Sequence, residues 1–286
     1  MKGGRALLER IISAIILAAF AFAAIFFGGI YIWALGLLIV AVGTFEFIRQ
    51  FNKNGHNLPV GPAVLIDIFY VLLPLAKESG PCLIKFGFTG ELNVFPLLLA
   101  ASIVYAIVDY VLFYEKKSIT DGVLSVFCGF YTSFVFSFWY FLRGTENGFW
   151  CFIIALAGAV ASDTFAFFVG SAIGKHKLCE KLSPKKSVEG AIGGAAGSLV
   201  VTLIIGIVLH CCGILTEIPI AIYAVLGIVF SALAQIGDLF ESGMKRSLGI
   251  KDFGNIIPGH GGALDRVDSY GMPLIFMYYF AVFFIK

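Results

Sequence analysis

Long apolar segments follow one another along almost the whole chain, and they limit the folds that are open to it. Hydrophobic residues make up 59% of the sequence and charged residues 13%, whereas soluble domains carry about 25% charged residues. A helix of about 20 apolar residues crosses the hydrocarbon core of a bilayer. The sequence therefore predicts an all-α integral membrane protein with about nine transmembrane helices, of which the third is the weakest because three prolines and Asp67 interrupt it. The predicted spans are 9–27, 29–48, 59–76, 94–114, 121–142, 149–173, 190–213, 217–240 and 269–286.

The lysines and arginines are distributed unevenly between the two sides that nine spans define. Sixteen of the twenty fall on the side of the N-terminus. Because cytoplasmic loops are enriched in these residues, we expect the N-terminus and the long polar loops 174–189 and 241–268 to face the cytoplasm. The remaining four are Lys77, Lys85, Arg143 and Lys286.

Polar residues divide the chain into two parts. Residues 1–148 hold about five spans, short loops and scattered polar groups, and we interpret them as an N-terminal transmembrane domain. Residues 149–286 hold about four spans and both long loops, and we predict that they form the catalytic domain.

The first polar cluster of the second part surrounds the loop 174–189. Asp163 lies near the middle of the sixth span, where an ionisable group is expected to face protein or water. Ser183, Lys185, Lys186 and Glu189 follow within a proline-containing turn that can hold phosphate oxygens. An interhelical hydrogen bond is the alternative role for the aspartate. Contacts with anionic lipid head groups are the alternative role for Lys175, Lys177 and Lys181 of the same loop.

The second cluster begins where the eighth span ends and continues to the last span. Asp238 and Glu241 are three residues apart and share one helical face, and Asp265 and Asp268 repeat this spacing. A Pro-Gly-His-Gly-Gly turn at 258–262 lies between the two pairs, and its glycines allow the backbone to approach a ligand closely. The other candidate residues of this cluster are Lys245, Arg246, Lys251, Asp252, His260, Gly261, Gly262 and Arg266.

These residue types favour one kind of chemistry. Carboxylates without paired imidazoles or thiolates suit Mg²⁺ or Mn²⁺ better than Zn²⁺, and neighbouring cations would neutralise phosphate charge. The residues alone therefore point to phosphoryl or nucleotidyl transfer at a cytoplasmic membrane surface. A cation-coupled transporter is the main alternative, because transporters also bury acids.

The stretch SGMKRSLGIKDFGNIIPGHGGALDRVD, residues 242–268, resembles the signature of the phosphatidate cytidylyltransferases, also called CDP-diacylglycerol synthases. The upstream stretches 162–170, 183–194 and 237–242 resemble secondary motifs of that family in the same order. The resemblance covers about residues 150–270. The chain departs from the pattern at Phe167, Ser171, Ser187-Val188 and Ala263, and none of these positions removes a charged residue.

The resemblance implies that CTP and phosphatidate react to give CDP-diacylglycerol and pyrophosphate, with Mg²⁺ as cofactor. It implies Asp238 and Asp265 as metal ligands, with Asp268 or Glu241 as support. It assigns Lys251, His260 and Arg266 to the triphosphate or the pyrophosphate, and Asp163, Lys185 and Lys186 to the nucleotide or the lipid. The other substrate-binding candidates are Ser183, Glu189, Lys245, Arg246, Asp252, Gly261 and Gly262.

Some alternatives stay open at this point. A CTP-dependent polyprenol kinase would release CDP and no pyrophosphate. A second, monovalent cation is compatible with so acidic a site. The glycines of 190–197 suit close helix packing, either within the subunit or in a homodimer. The net charge of +2 gives no indication of a nucleic-acid partner.

Overall fold

The computed structural model describes residues 16–75, 83–86, 90–254, 261–266 and 268–285. The chain divides into two compact units. The N-terminal unit takes its residues from 1–141 and 252–264, and the C-terminal unit from 142–251 and 265–286. The signature stretch 242–268 is therefore shared between the units.

The N-terminal unit is built from helices, a short hairpin and one π-helical turn. Ser118 and Asp121 form a capping box at the start of α5, which satisfies two otherwise free backbone N–H groups. Pro74 lies in a 3₁₀ turn that ends the third helix, as expected for a residue that cannot continue the α-helical hydrogen bonding. The elements are α1 (Ile16–Phe27), α2 (Gly29–Lys53), α3 (Val60–Leu72), β1 (Leu83–Phe86), β2 (Gly90–Asn93), α4 (Val94–Leu112), α5 (Ile119–Gly129), the π-helical turn Phe130–Phe134 and α6 (Val135–Gly144), whose end passes into the other unit.

The C-terminal unit packs its helices through small residues. A methyl group at Gly194 would lie 3.1 Å from the Cβ of Ala166 and 3.2 Å from the Oγ of Ser162, so the glycines of 190–197 serve helix packing within the subunit. The elements are α7 (Gly148–Ile173), β3 (Lys177–Cys179), β4 (Ser183–Ser187), α8 (Val188–Cys211), α9 (Ile220–Ser247), the 3₁₀ turn Leu264–Arg266 that begins in the other unit, and α10 (Gly271–Phe284).

The membrane-protein class is confirmed. Six helices of the described residues are long and apolar enough to cross a bilayer, and α1, α3 with its 3₁₀ extension, and α10 are shorter apolar helices. The six long helices overlap six of the predicted spans, the fifth of which is formed by Ile119–Gly144, and the three shorter helices overlap the other three predicted spans without reaching that length.

The described residues are mostly helical, as the sequence predicts, and two short antiparallel hairpins add a small amount of sheet. One hairpin lies in the loop 174–189, where the sequence predicts a proline-containing turn. It pairs Lys177 with Ser187 and Cys179 with Ser183. Proline has no backbone N–H to donate and is therefore confined to edge strands. Both strands of a two-stranded hairpin are edge strands, so β4 can contain Pro184.

Candidate active site

A polar cavity of about 650 Å³ lies within the C-terminal unit. Its walls come from α7, the β3–β4 hairpin, the first turn of α8, the end of α9 and the turn before α10. The structure thereby brings together residues that are up to 107 positions apart in the sequence, from Asp163 to Tyr270. Seven of the predicted site residues line it: Asp163, Ser183, Lys185, Lys186, Asp238, Asp265 and Asp268.

A close backbone approach brings α9 next to the turn that follows the signature stretch. Gly237 faces the backbone carbonyl of Asp268, and a methyl group at position 237 would overlap that oxygen. Only glycine leaves enough room here. The contact fixes Asp238, the next residue of the helix, beside Asp268.

The carboxyl group of Asp268 has an unusual electrostatic environment. Burial, followed by the neighbouring charge of Asp238, raises its pKa to about 6, although Lys245 and hydrogen bonds from Ser269 act in the opposite direction. Ser269 donates to Asp268 Oδ1 from its backbone N at 2.8 Å and from its Oγ at 3.2 Å. Two acids that disfavour each other's ionisation form a place where a bound cation is stabilised.

Lys186 already supplies one positive charge to this cluster. Its Nζ lies 2.6 Å from Asp238 Oδ2, in an ion pair that lacks the geometry of an aligned hydrogen bond. Ser242 donates to the other oxygen, Oδ1, at 3.3 Å. Asp163 lies close enough to Asp238 and Lys186 to interact electrostatically with both.

A buried lysine joins Asp265 of the signature stretch to Glu241, the acid that directly precedes this stretch. Lys245 Nζ donates to Glu241 Oε1 at 3.0 Å and to Asp265 Oδ1 at 2.9 Å. The three side chains are almost fully buried, with relative exposures of 0% for Glu241, 7% for Asp265 and 8% for Lys245. Removing one member of such a network leaves an uncompensated buried charge. Asp265 lines the cavity, whereas Lys245 and Glu241 do not line it. Lys245, which Glu241 holds in place, therefore orients Asp265.

Several predicted residues stabilise the surrounding loops and do not line the cavity. Glu189 accepts from the backbone N atoms of Lys175 at 3.1 Å and His176 at 3.2 Å, and pairs with His176 Nδ1 at 2.6 Å. Arg246 donates to the carbonyl oxygens of Leu182 at 3.3 Å and Ile250 at 3.0 Å. These contacts hold both ends of the β3–β4 hairpin.

The remaining predicted residues belong elsewhere. Lys251 and Asp252 are exposed. Gly261 and Gly262 belong to the N-terminal unit. Arg266 closes the 3₁₀ turn Leu264–Arg266, and His260 lies outside the described residues.

Five polar residues of the cavity were not among the predicted site residues: Ser171, Ser187, Gln235, Ser269 and Tyr270. Gln235 is a polar residue inside an apolar span, a signal that could have identified it. Its Nε2 donates to the carbonyl of Ala191 at 3.2 Å and lies 2.9 Å from Ser231 Oγ, which links α9 to the start of α8. Ser269 could have been found because it directly follows Asp268.

The donor set fits a hard divalent cation that binds together with its substrate. Within the described ranges, no three acidic, histidine or cysteine side chains are close enough to hold a metal ion by themselves. Mg²⁺ is usually held by one or two carboxylates, water and substrate phosphates. Asp238, Asp265 and Asp268 supply carboxylates from two chain segments at one cavity.

The structure is that of a helical membrane protein with a cavity lined by both aspartates and lysines. Comparison of the chain with known proteins identifies it further. Residues 8–284 match the model of the cytidylyltransferase family, and the chain belongs to this family. It is 32% identical to the phosphatidate cytidylyltransferase of Synechocystis over 96% of both chains. It is 30% identical to the Bacillus subtilis protein of the same name, over 87% of this chain and 88% of that one.

Proposed function

We propose that this protein is an Mg²⁺-dependent phosphatidate cytidylyltransferase, which condenses CTP with phosphatidate to give CDP-diacylglycerol and pyrophosphate. Membership of the cytidylyltransferase family and the names of the relatives support this reaction. The observation that carries the choice of site is the polar cavity of the C-terminal unit. Four aspartates and two lysines line it, next to helices with bilayer-spanning length.

The reaction needs charge neutralisation more than it needs a base. A phosphate oxygen of phosphatidate attacks the α-phosphorus of CTP, the bond to the β-phosphate oxygen breaks, and pyrophosphate leaves with that oxygen. The nucleophile is already an anion near neutral pH, so the main barrier is the approach of two anions. A divalent ion, when bound, supplies positive charge to the phosphates, and fixed protein cations add to it.

The residues of the cavity can be assigned to these tasks. Asp238 and Asp265 would hold the divalent ion together with substrate phosphates and water, Asp268 would support them, and Glu241 acts through Lys245 to orient Asp265. Lys186 forms an ion pair with Asp238. If a divalent ion neutralised Asp238 instead, the ammonium group of Lys186 would be available to a phosphate oxygen. Lys185, which is exposed at the cavity wall, binds a second phosphate.

The active site faces the cytoplasm in this proposal, and so does the N-terminus. The support is the concentration of sixteen of the twenty lysines and arginines on one side of a nine-span topology. Phosphatidate presents its head group at the interface, and CTP is a cytosolic compound. A cavity formed at the end of α9 and beside the β3–β4 hairpin can receive both from that side.

The decisive experiment uses purified protein in detergent with CTP, phosphatidate and Mg²⁺. We expect CDP-diacylglycerol and pyrophosphate in equal amounts, no product with EDTA, and at least a hundredfold loss of turnover in Asp265→Asn. Glu217→Gln is the matched control, because it removes an exposed carboxylate of the same unit that lies outside the cavity. Release of CDP with a phosphorylated lipid would instead identify a kinase, and full activity of Asp265→Asn would remove this cavity as the site.

A further inference from the structure

Helix α2 carries a buried acid that the reaction described above does not use. Glu46 has a relative exposure of 2% and lies inside the second predicted span, where an unpaired carboxylate would be costly. Its Oε2 accepts a hydrogen bond from the backbone N of Ala263 at 2.8 Å and a longer one from Leu264 at 3.4 Å. The acid therefore binds the end of the signature stretch, 217 residues away in the sequence.

The backbone of the signature stretch is shaped to fit this carboxylate. Methyl groups at Gly254 and at Gly262 would both overlap the carboxyl group of Glu46. The preceding residue, Gly261, has a φ of 84°, a conformation that favours glycine. The two glycines at 254 and 262 thus provide the space for one buried carboxylate. This explains Gly262, one of the glycines that the sequence suggests for ligand approach.

Other residues on the same face of α2 bind the same stretch. Phe47 stacks on Phe253 with a centroid distance of 6.0 Å, and Gln50 Nε2 donates to the Phe253 carbonyl at 2.5 Å. One turn earlier, a methyl group at Gly43 would lie 2.9 Å from the side chain of Leu264. Positions i, i+3, i+4 and i+7 of a helix lie on one face, so α2 presents a continuous surface to both described ends of residues 252–264.

We propose that Glu46 is a positioning residue for cytidylyl transfer. Its carboxylate fixes the Gly-Gly turn of the signature stretch through backbone hydrogen bonds, and Leu264, which the turn carries, is directly followed by Asp265. Charge-assisted hydrogen bonds are about twice as strong as neutral ones, and the buried location excludes competing water. This inference rests on the proposed role of Asp265 as a metal ligand.

The test compares two substitutions of Glu46 with a control in the same helix. Glu46→Met keeps the approximate length and volume but removes both acceptors, and Glu46→Gln keeps one carbonyl acceptor without the charge. Thr44→Val is the control, because it removes another buried polar group of α2, whose hydroxyl lies 3.0 Å from Thr132 Oγ1 and not against the signature stretch. The measurements are kcat with CTP and phosphatidate, the melting temperature, and amide hydrogen exchange of the peptide 261–266.

We expect kcat of Glu46→Met to fall by about tenfold to a hundredfold, since a misplacement of about 1 Å is enough for such a loss. Amide exchange in residues 261–266 should become faster, and the melting temperature should resemble that of Thr44→Val. Glu46→Gln should recover part of kcat and part of the protection. Thr44→Val should keep wild-type kcat and exchange.

Two results would overturn the proposal: wild-type kcat in Glu46→Met, or unchanged exchange at 261–266 in that variant. If Glu46→Met does not fold, the same two results in Glu46→Gln decide against it. Asp265→Asn, measured in parallel, separates this failure from failure of the proposed site. An active Asp265→Asn refutes the site, whereas an inactive Asp265→Asn together with a fully active Glu46→Met refutes only the role of Glu46.

Discussion

Lys186 and Asp238 form an ion pair across the candidate active site, with 2.6 Å between Nζ and Oδ2. The pair joins strand β4 to helix α9 and neutralises an aspartate that has two further aspartates nearby. An internal ammonium group therefore occupies the position next to Asp238 that a metal ion would compete for.

Replacing Lys186 by methionine should separate metal binding from catalysis. Without the ammonium group, the acids bind a divalent cation several-fold more tightly, because the competing positive charge is gone. Turnover should nevertheless fall at least tenfold, since a fixed cation no longer binds the substrate phosphate. Mn²⁺ titration followed by electron paramagnetic resonance checks the first effect, and a CDP-diacylglycerol assay checks the second.

Lys185→Met is the matched control for this prediction. Lys185 lines the same cavity from the neighbouring position but is exposed, so its removal should leave Mn²⁺ affinity within about twofold. Weaker Mn²⁺ binding in Lys186→Met would contradict the competition that we infer.

Asp268→Asn should stabilise the metal-free protein. Burial and the charge of Asp238 raise the pKa of this carboxyl group to about 6 in the folded state, compared with an ordinary value of 3.8, so the folded protein binds the proton more tightly than the unfolded one. The contribution of this carboxyl group to the free energy of unfolding is therefore greatest below about pH 4, and it decreases as the pH rises to about 6. A shift of about two units corresponds to roughly 3 kcal/mol at most, and the amide of asparagine avoids this cost.

Thermal unfolding in EDTA measures this effect. The melting temperature of Asp268→Asn should exceed that of the wild type by several degrees at pH 7.5, and the difference should shrink as pH is lowered from 6 towards 4. Glu217→Gln, which changes an exposed acid, should show no such pH dependence. An equal difference at pH 7.5 and pH 4 would mean that ionisation of Asp268 is not the cause.

The buried network of Lys245 allows a double-mutant test. Lys245→Met leaves Glu241 and Asp265 without their shared cation, and breaking a buried ion pair from one side costs about 3–5 kcal/mol. Glu241→Gln on its own should cost less, because Lys245 keeps Asp265 as its partner. The combination of both changes should be more stable than Lys245→Met, since it removes one of the two stranded acids.

Unfolding of the wild type and the three variants under one set of conditions gives the coupling energy. A double variant that is less stable than Lys245→Met would show that the two acids are not held by the lysine in the way that the distances indicate.

The positions of helices and of the main acidic groups were predictable from the sequence, because both have local signals. Apolar runs predicted the segments that became α1 to α10, and the pair Asp265 and Asp268 stood out in a chain with few charges. Contacts between distant segments had no such signal. Glu241 pairs with Lys245 and does not face the cavity. This orientation depends on the packing of α9 against the turn before α10, which helical spacing alone does not determine.

Glycines were the residues whose roles were least predictable. Gly261 and Gly262 were interpreted as a backbone surface for a ligand, but Gly262 makes room for the side chain of Glu46. A glycine motif indicates that there is no room for a Cβ atom, but it does not indicate which group occupies that space. The acid itself was detectable, since Glu46 interrupts an apolar span, but its partner was not.

Gly237→Ala tests whether the close approach of α9 to Asp268 is required for activity. The added methyl group would overlap the backbone carbonyl of Asp268, so the helix and the turn must separate, and Asp238 and Asp268 must move apart. We expect kcat to fall at least tenfold, together with weaker Mn²⁺ binding.

Gly243→Ala is the control in the same helix, because its Cβ would meet only Leu182 Cδ2 at an ordinary 3.5 Å. Alanine is favoured over glycine in a helix interior by about 1 kcal/mol, so Gly243→Ala should keep full activity and melt slightly higher. Equal kcat values for the two variants would mean that the contact between Gly237 and Asp268 does not set the geometry of the site.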